Sequence, residues 1–553
     1  MQSTGATAGS ITTLSSSISV TLHRRDQSIT NPKSKSKSFS LQHPLRFERS
    51  CRTSRRRRKG WLLTMTEHMS EGIHIMSLSS SGKKLVEKGG VQPIPRLDDH
   101  LGPMHRIHNP MMDNKFFEPT DGFFVTDYDV ATQFVAVDMR HLGTQSYFLR
   151  AGPRESVVFE PEEVKAAIVT CGGLCPGINT VIRELVMGLW DLYGVRSIHG
   201  IRAGYRGFYS GDPMPLDRQV VDDWHKKGGS VLGSSRGGFD LKKIMDGIEG
   251  AGYNQLFIVG GDGTMRGAVA IADEIVRRGL KISVVAVPKT VDNDVGIIDK
   301  SFGLDTAVEK AQAAINAGHV EAQSTPNGVG VVKLMGRNAG HIALRATLSS
   351  RDVDCCLIPE VPFYTEGRGG LFEFVETKLE ENGHCVIVVA EGAGQELIPR
   401  NADQGYDESG NLQLLDIGTW LVSELKRWWK KNNPDKLSAV KYIDPTYMVR
   451  AVPSNAADTL FCTLLAQSAV HGAMAGYTAF VAGTVNGVYC YLPLEQIAKS
   501  THKVDVNNHI WAWVRSINSQ PDFKKYNENG NSNGKFVNSE SGYALKKAAD
   551  VSA

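Results

Sequence analysis

Six short, largely apolar runs, most of them rich in β-branched residues, recur at 166–170, 255–260, 282–288, 329–334, 355–359 and 386–390. Each has the length of a strand, and none alternates with polar residues, which is the pattern of strands buried on both faces. Between them lie stretches with helical spacing, such as Val181, Ile182, Leu185, Val186 and Leu189. Strands that alternate with helices fold as a parallel sheet covered on both sides, and a segment this long holds that unit twice. The expectation is an α/β protein with two doubly wound lobes. Ligands of such sheets bind at the carboxyl ends of the strands.

Three of the runs end in loops able to do chemistry. The first reads Cys-Gly-Gly-Leu-Cys-Pro-Gly-Ile-Asn over 171–179, directly after a strand and before a helix. Glycines let a backbone approach a phosphate closely, and the helix end adds unsatisfied N–H groups and a positive dipole. The spacing is neither the dinucleotide fingerprint nor a Walker loop, so a plain tight turn is an equal alternative for this loop alone. The second loop reads Gly-Gly-Asp-Gly-Thr over 260–264, with a helix expected from about Met265. Its glycines can wrap a polyphosphate while Asp262 reaches a Mg²⁺, a cation that prefers hard oxygen ligands. The third, Pro-Lys-Thr-Val-Asp-Asn-Asp over 288–294, sets two carboxylates two residues apart. One carboxylate can take a proton from an alcohol while the other holds water or metal. An Asx-type turn would explain the third loop on its own. All three follow strands, however, so they should meet at one sheet edge.

Charge divides the chain. Of its formal net charge of +3, residues 1–60 alone carry +11, so residues 61–553 carry −8. An acidic body removes the electrostatic basis for a general nucleic-acid or membrane-surface role. The first sixty residues hold thirteen Ser, nine Arg and only two acids, a composition that cannot pack a core and matches a transit-like, disordered leader. The address it suggests is a plastid, with the cytoplasm as the alternative. Residues 61–150 are expected to form an extension packed on the body, and 521–553 a flexible tail. No run of eighteen apolar residues exists, so no membrane span is expected. Eight cysteines without a CxxC pair read as buried, reduced thiols. The aromatic and basic cluster at 426–431 reads as a helix end with snorkelling lysines, and His341 as a core histidine or one packed behind the site.

The motifs CGGLCPGIN, GYRGF (204–208), GGDGT, PKTVDND, FGLDTA (302–307), KLMGR (333–337), the glutamate of VAEGAG (389–394) and DPTYMVRAVPSNAAD (444–458) occur in this order. Over residues 150–500 the chain resembles the phosphofructokinase family, most of all its plant ATP-dependent 6-phosphofructokinases. That resemblance implies two Rossmann-like lobes with the active site in the cleft between them: an ATP-binding lobe of 151–305 plus about 452–500, and a fructose 6-phosphate-binding lobe of 306–451. It implies transfer of the γ-phosphoryl of ATP to the 1-hydroxyl of fructose 6-phosphate, with Mg²⁺. Carried over residue by residue, Asp292 is the general base, Asp262 holds the metal, and Asp294 supports the metal–phosphate region. Gly172, Arg236, Gly237, Gly261, Asp262, Gly263 and Thr264 contact ATP, and Arg236 also stabilises the phosphoryl in flight. Thr290, Val291, Asp292, Met335, Gly336, Arg337, Glu391, Tyr447, Met448, Val449 and Arg450 line the sugar, with Arg337 and Arg450 suited to bidentate contacts.

Two positions bear on the phosphoryl donor. In the pyrophosphate-using branch the residue matching Gly263 is an aspartate, which would repel the α-phosphate of ATP by roughly 4 kcal/mol at 4 Å and an effective dielectric of about 20. Lys289 points the other way, but plant-type ATP enzymes combine this glycine with this lysine. The expectation is an ATP-dependent enzyme; a pyrophosphate-dependent one and a non-catalytic regulatory subunit are the alternatives. The family is usually tetrameric, so a homo-oligomer is implied. Two arginines that reach the 6-phosphate from a neighbouring subunit in bacterial members correspond to Gly328 and Lys441. Not all the basic residues of the allosteric site are evident.

Overall fold

The computed structural model describes residues 90–113, 123–135, 145–399, 405–406 and 413–524, and the leader of 1–60 lies outside them. In chain order the strands of the two main sheets are β1 (Val130–Thr132), β2 (Tyr147–Arg150), β3 (Lys165–Thr170), β4 (Ser197–Ile201), β5 (Met214–Pro215), β6 (Gln255–Gly260), β7 (Ser283–Pro288), β8 (Gly328–Leu334), β9 (Cys355–Leu357), β10 (His384–Ala390), β11 (Ala439–Ile443), β12 (Phe480–Val485) and β13 (Val488–Pro493). The helices that matter here are α1 (Ile178–Met187), α2 (Asp262–Arg278), α3 (Leu304–Gln323), α4 (His341–Ser350), α5 (Leu371–Asn382), α6 (Ile417–Asn432), α7 (Thr446–Arg450), α8 (Ala456–Met474) and α9 (His509–Asn518).

The larger sheet has nine strands in the order β1-β2-β13-β12-β7-β6-β3-β4-β5. Its centre, β12-β7-β6-β3-β4, is parallel, and both edges are antiparallel. Strands β6, β7 and β12 are buried along their whole length, because helices cover both faces. The order reverses beside β3: the chain runs from β3 outward to β4, then back to β6 on the other side. Such a switch leaves a crevice at the strand ends. The smaller sheet is β9-β10-β8-β11, wholly parallel.

The large sheet draws strands from 130–288 and 480–493, the small one from 328–443. Two sequence expectations differ from this. The extension supplies β1 and β2 to the sheet itself, where it was expected only to pack against the body. Both strands are short and neither is buried throughout, so they carry none of the continuous apolar signal of the central strands. After β13 the chain returns to the second lobe: α9 packs on α4, and Gln520 exchanges two hydrogen bonds with the backbone of Cys356. The tail therefore starts later than 521, since Phe523 is buried beside Phe363. Residues 525–553 lie outside the described residues. Among the described residues no helix is long and apolar enough to cross a membrane.

Candidate active site

The three loops leave β3, β6 and β7, which are neighbours in the large sheet, so their ends adjoin. Cys171 N–H donates to the Val259 carbonyl at 2.9 Å, Gly172 N–H to Ser235 at 3.0 Å, and the Ser234 hydroxyl to the Gly172 carbonyl at 2.5 Å. These bonds lay the segment carrying Arg236 and Gly237 alongside the glycine loop, with the Arg236 guanidinium over Gly173. At the end of the loop Gly177 has φ +96°, and a Cβ there would stand 2.7 Å from Cys462 Sγ. Only glycine allows that turn to lead into α1 while α8 packs behind it.

Helix α2 begins at Asp262, three residues before the sequence expectation of Met265. Gly261 is extended and its carbonyl accepts the Met265 N–H at 2.9 Å, closing the first turn over Gly263 despite the poor helix propensity of glycine. The Asp262 carboxyl thus rides on the first turn, where N–H groups have no helical partner. Burial, reinforced by the charge of Asp294, pushes Asp262 up to about 6, against the opposing pull of Arg266.

In the third loop the Thr290 hydroxyl donates to Asp294 at 2.7 Å and accepts the Asp292 N–H at 3.2 Å. Asn293, between the two carboxylates, has φ +58°. It is pinned by Ser301, whose N–H donates to its side-chain oxygen at 2.8 Å and whose hydroxyl donates to the Thr290 carbonyl at 2.5 Å. Asp292 Oδ2 accepts the Arg337 N–H from the second lobe at 3.2 Å, while Oδ1 has neither solvent nor a hydrogen-bond partner. Burial and the charges of Asp294 and Glu391 push this carboxyl up to about 7. A carboxyl at that value can take up a proton near neutral pH.

One cleft of about 560 Å³ is lined by Gly172, Arg236, Gly237, Gly261, Asp262, Gly263, Thr264, Lys289, Thr290, Val291, Asp292, Asp294, Met335, Arg337 and Arg450. Asp262 and Asp292 therefore share a cavity. Arg450 Nε, shielded from solvent, lacks a hydrogen-bond partner, and its guanidinium lies 5.2 Å from the Tyr447 ring centre. Five sugar-lining candidates stand elsewhere. Glu391 sits behind the wall, close enough to Arg337, Lys333 and Arg450 to feel their charges. Gly336 is buried in the turn beneath Arg337, whereas Tyr447 and Met448 face solvent. Val449 is wholly buried in the core. A five-residue helix turns successive side chains through about 100°, so α7 aims Arg450 at the cleft only by aiming Val449 away from it.

Lys289 is buried and its ammonium donates to the Gly173 carbonyl, with burial pulling its pKa down. It braces the glycine loop from beneath. Gly328 opens β8, at the opposite end of that strand from Met335, and a Cβ there would lie 2.0 Å from the Ala322 carbonyl. No side chain fits without moving backbone. Lys441 pairs with Glu321 at 3.2 Å. Cys171 is buried and its thiol pushed up to about 12, far from an activated nucleophile. Sequence reasoning missed Arg266 and Asn338, which line the cleft. Each stands one or two positions beyond a motif already read, GGDGT or KLMGR. It also missed His502, which has no local signal at all.

A magnesium ion suits this donor set. Asp262 and Asp294 present carboxylates close enough that the charge of Asp294 raises the pKa of Asp262, a like-charge repulsion that a bound cation relieves. Among the described residues no three His, Cys, Asp or Glu form a metal cage of their own. Mg²⁺ commonly takes one or two carboxylates and completes its shell with water and substrate phosphates.

Residues 165–473 match the family model described as Phosphofructokinase. The chain is 62% identical over 434 residues to ATP-dependent 6-phosphofructokinase 2 of Arabidopsis thaliana, covering 78% of this chain and 98% of that protein. It is 52% identical over 455 residues to ATP-dependent 6-phosphofructokinase 4, chloroplastic, of the same organism, covering 81% and 85%. Among solved structures, a pyrophosphate-dependent phosphofructokinase from Marinobacter aquaeolei superposes with a TM-score of 0.52 at 19% identity, covering 66% of this chain and 95% of that one. That last likeness concerns the fold.

Proposed function

This chain belongs to the phosphofructokinase family, and from that premise we propose that it is an ATP-dependent 6-phosphofructokinase, transferring the γ-phosphoryl of ATP to the 1-hydroxyl of fructose 6-phosphate. The observation that carries the reading is the shared cleft: Asp292 lines the same cavity as Asp262 and the glycine loop. The glycine loop, with Arg236 over it, receives the nucleotide phosphates. Arg337 and Arg450, whose side chains line the cleft, bind the sugar phosphate. Asp292 takes the proton of the acceptor hydroxyl as its oxygen attacks the γ-phosphorus. Arg337 N–H holds Oδ2 of that carboxylate and so fixes its orientation. Asp262, with Asp294 beside it, would hold Mg²⁺, which when bound neutralises phosphate charge. Arg236 stabilises the charge of the transferring group.

ATP is the proposed donor because Gly263 leaves open space: a Cβ there would meet only the tip of Arg266, at 3.8 Å. Fructose 1,6-bisphosphate formation by the purified protein, with ATP and pyrophosphate compared as donors, tests the reading. Turnover with pyrophosphate alone would transfer the chain to the other branch, and turnover with neither would leave the regulatory-subunit reading. A homo-oligomer, tetrameric by family resemblance, is further proposed and is checked by light scattering. A plastid address is proposed from the basic, serine-rich leader and the relative named chloroplastic. Residues 1–60 fused to a fluorescent protein should then enter plastids, and cytoplasmic fluorescence would refute it.

A further inference from the structure

The segment after β13 returns to the catalytic loop along a path the motifs do not announce. Thr501 forms an antiparallel bridge with Val295. The His502 N–H donates to the Asp294 carbonyl at 2.7 Å, and its ring Nδ1 lies 3.1 Å from the Asn293 carbonyl. Those two carbonyls directly follow the left-handed Asn293 Cα that sets the two carboxylates apart. Behind the ring stands His341, at the start of α4, with ring centres 4.4 Å apart. Two residues on, the Val504 N–H donates to Glu360 Oε1 at 2.8 Å, and the same carboxylate accepts the Gly340 N–H at 3.1 Å. Residues 501–504 therefore tie the catalytic loop of the first lobe to the start of α4 in the second. Residues 501–503 also wall a side chamber of about 240 Å³ that shares Asp262, Asp294, Arg337 and Asn338 with the main cleft.

We propose that His502, beyond the 165–473 span of the family match, is a positioning residue for phosphoryl transfer: its Nδ1–H and main-chain N–H hold the Asn293–Asp294 backbone so that Asp292 meets the acceptor hydroxyl. The proposal rests on the function proposed above. The loop needs such a clamp because a non-glycine residue at positive φ stays there only when its surroundings over-determine it. The ring contact is the replaceable part, since the main-chain bond survives any substitution.

The test compares the full chain with His502→Ala, His502→Asn and His502→Leu, assayed with ATP and fructose 6-phosphate. The amide nitrogen of asparagine falls where Nδ1 stands and can donate to the same carbonyl, whereas leucine has nearly the same shape without a donor. In His502→Ala and His502→Leu kcat should fall on the order of 10- to 100-fold, the scale of a sub-ångström misplacement, while KM for both substrates changes by less than about threefold. His502→Asn should recover kcat to within about threefold of wild type. Equal impairment of the Asn and Leu variants, or wild-type kcat in His502→Leu, overturns the proposal. If His502→Ala does not fold, the Asn and Leu pair still decides it. An inactive wild type would instead overturn the functional reading, and the two failures are thus told apart.

Discussion

At the residue scale, single atoms decide donor and base. Gly263→Asp should fold normally, because the added side chain has room, yet lose ATP turnover by on the order of 10² or more through repulsion of the nucleotide. Arg266 offsets part of that charge. Circular dichroism and an ATP titration check both halves, and unchanged ATP turnover would dismiss the charge argument. Asp292→Asn should cut turnover by about 10²–10⁴, the range for one general base, with ATP affinity almost intact. The same residue makes stability depend on pH. Its carboxyl loses its proton near pH 4 in the unfolded chain but only near 7 in the folded, metal-free protein. Between those values the folded state binds the extra proton, so stability falls as pH rises from about 4 to about 7. Ligand-free Asp292→Asn escapes this loss, and its stability advantage in urea unfolding should be about 1–3 kcal/mol larger at pH 8 than at pH 5. An advantage that does not change with pH would mean the carboxyl is not held up by burial.

At the scale of elements, legibility followed the continuity of the apolar signal. Strand β6 spans the expected 255–260 because Asn254 and Gly261 punctuate a run buried on both faces. Strand β4 contains His199 and Gly200, and β11 is only partly buried at every position, so neither has a continuous apolar run to reveal it. The start of α2 fell later in the sequence reading because local propensity counts Gly263 against a helix, while the sheet edge and the Gly261 carbonyl close that turn regardless. Elements also meet where no pattern shows it. The turn after β10 lies on the loop after β8: Glu391 N–H donates to Leu334 and Gly392 N–H to Gly336, at 2.9 and 3.0 Å. A Cβ on Gly392 would stand 1.9 Å from the Arg337 carbonyl. Gly392→Ala should therefore cost about 1–3 kcal/mol in chemical unfolding and, by moving Arg337, weaken fructose 6-phosphate more than ATP. Equal KM values for the variant and the wild type would show that the loop absorbs the push.

At the scale of the whole molecule, the C-terminal return closes the second lobe. A chain ending at Lys499 would lose the buried Trp511, Val514 and Phe523 and leave the Cys356 backbone without Gln520. That loss is on the order of 5 kcal/mol, enough to abolish cooperative unfolding and activity together, although the family match at 165–473 is untouched. Thermal unfolding beside a chain ending at Lys524 measures it, and full activity at Lys499 would refute it. The central strands β3, β6 and β7 and the three loops that follow them, with Asp262, Gly263 and Asp292 as candidates, were legible in the sequence alone, because each depends on residues a few positions apart. Which side chains meet was decided only by tertiary packing. It buried Val449, set Lys289 beneath the glycine loop and brought His502 across more than two hundred residues to Asn293. Such contacts arise where two lobes and a returning chain converge, and local spacing carries no record of that convergence.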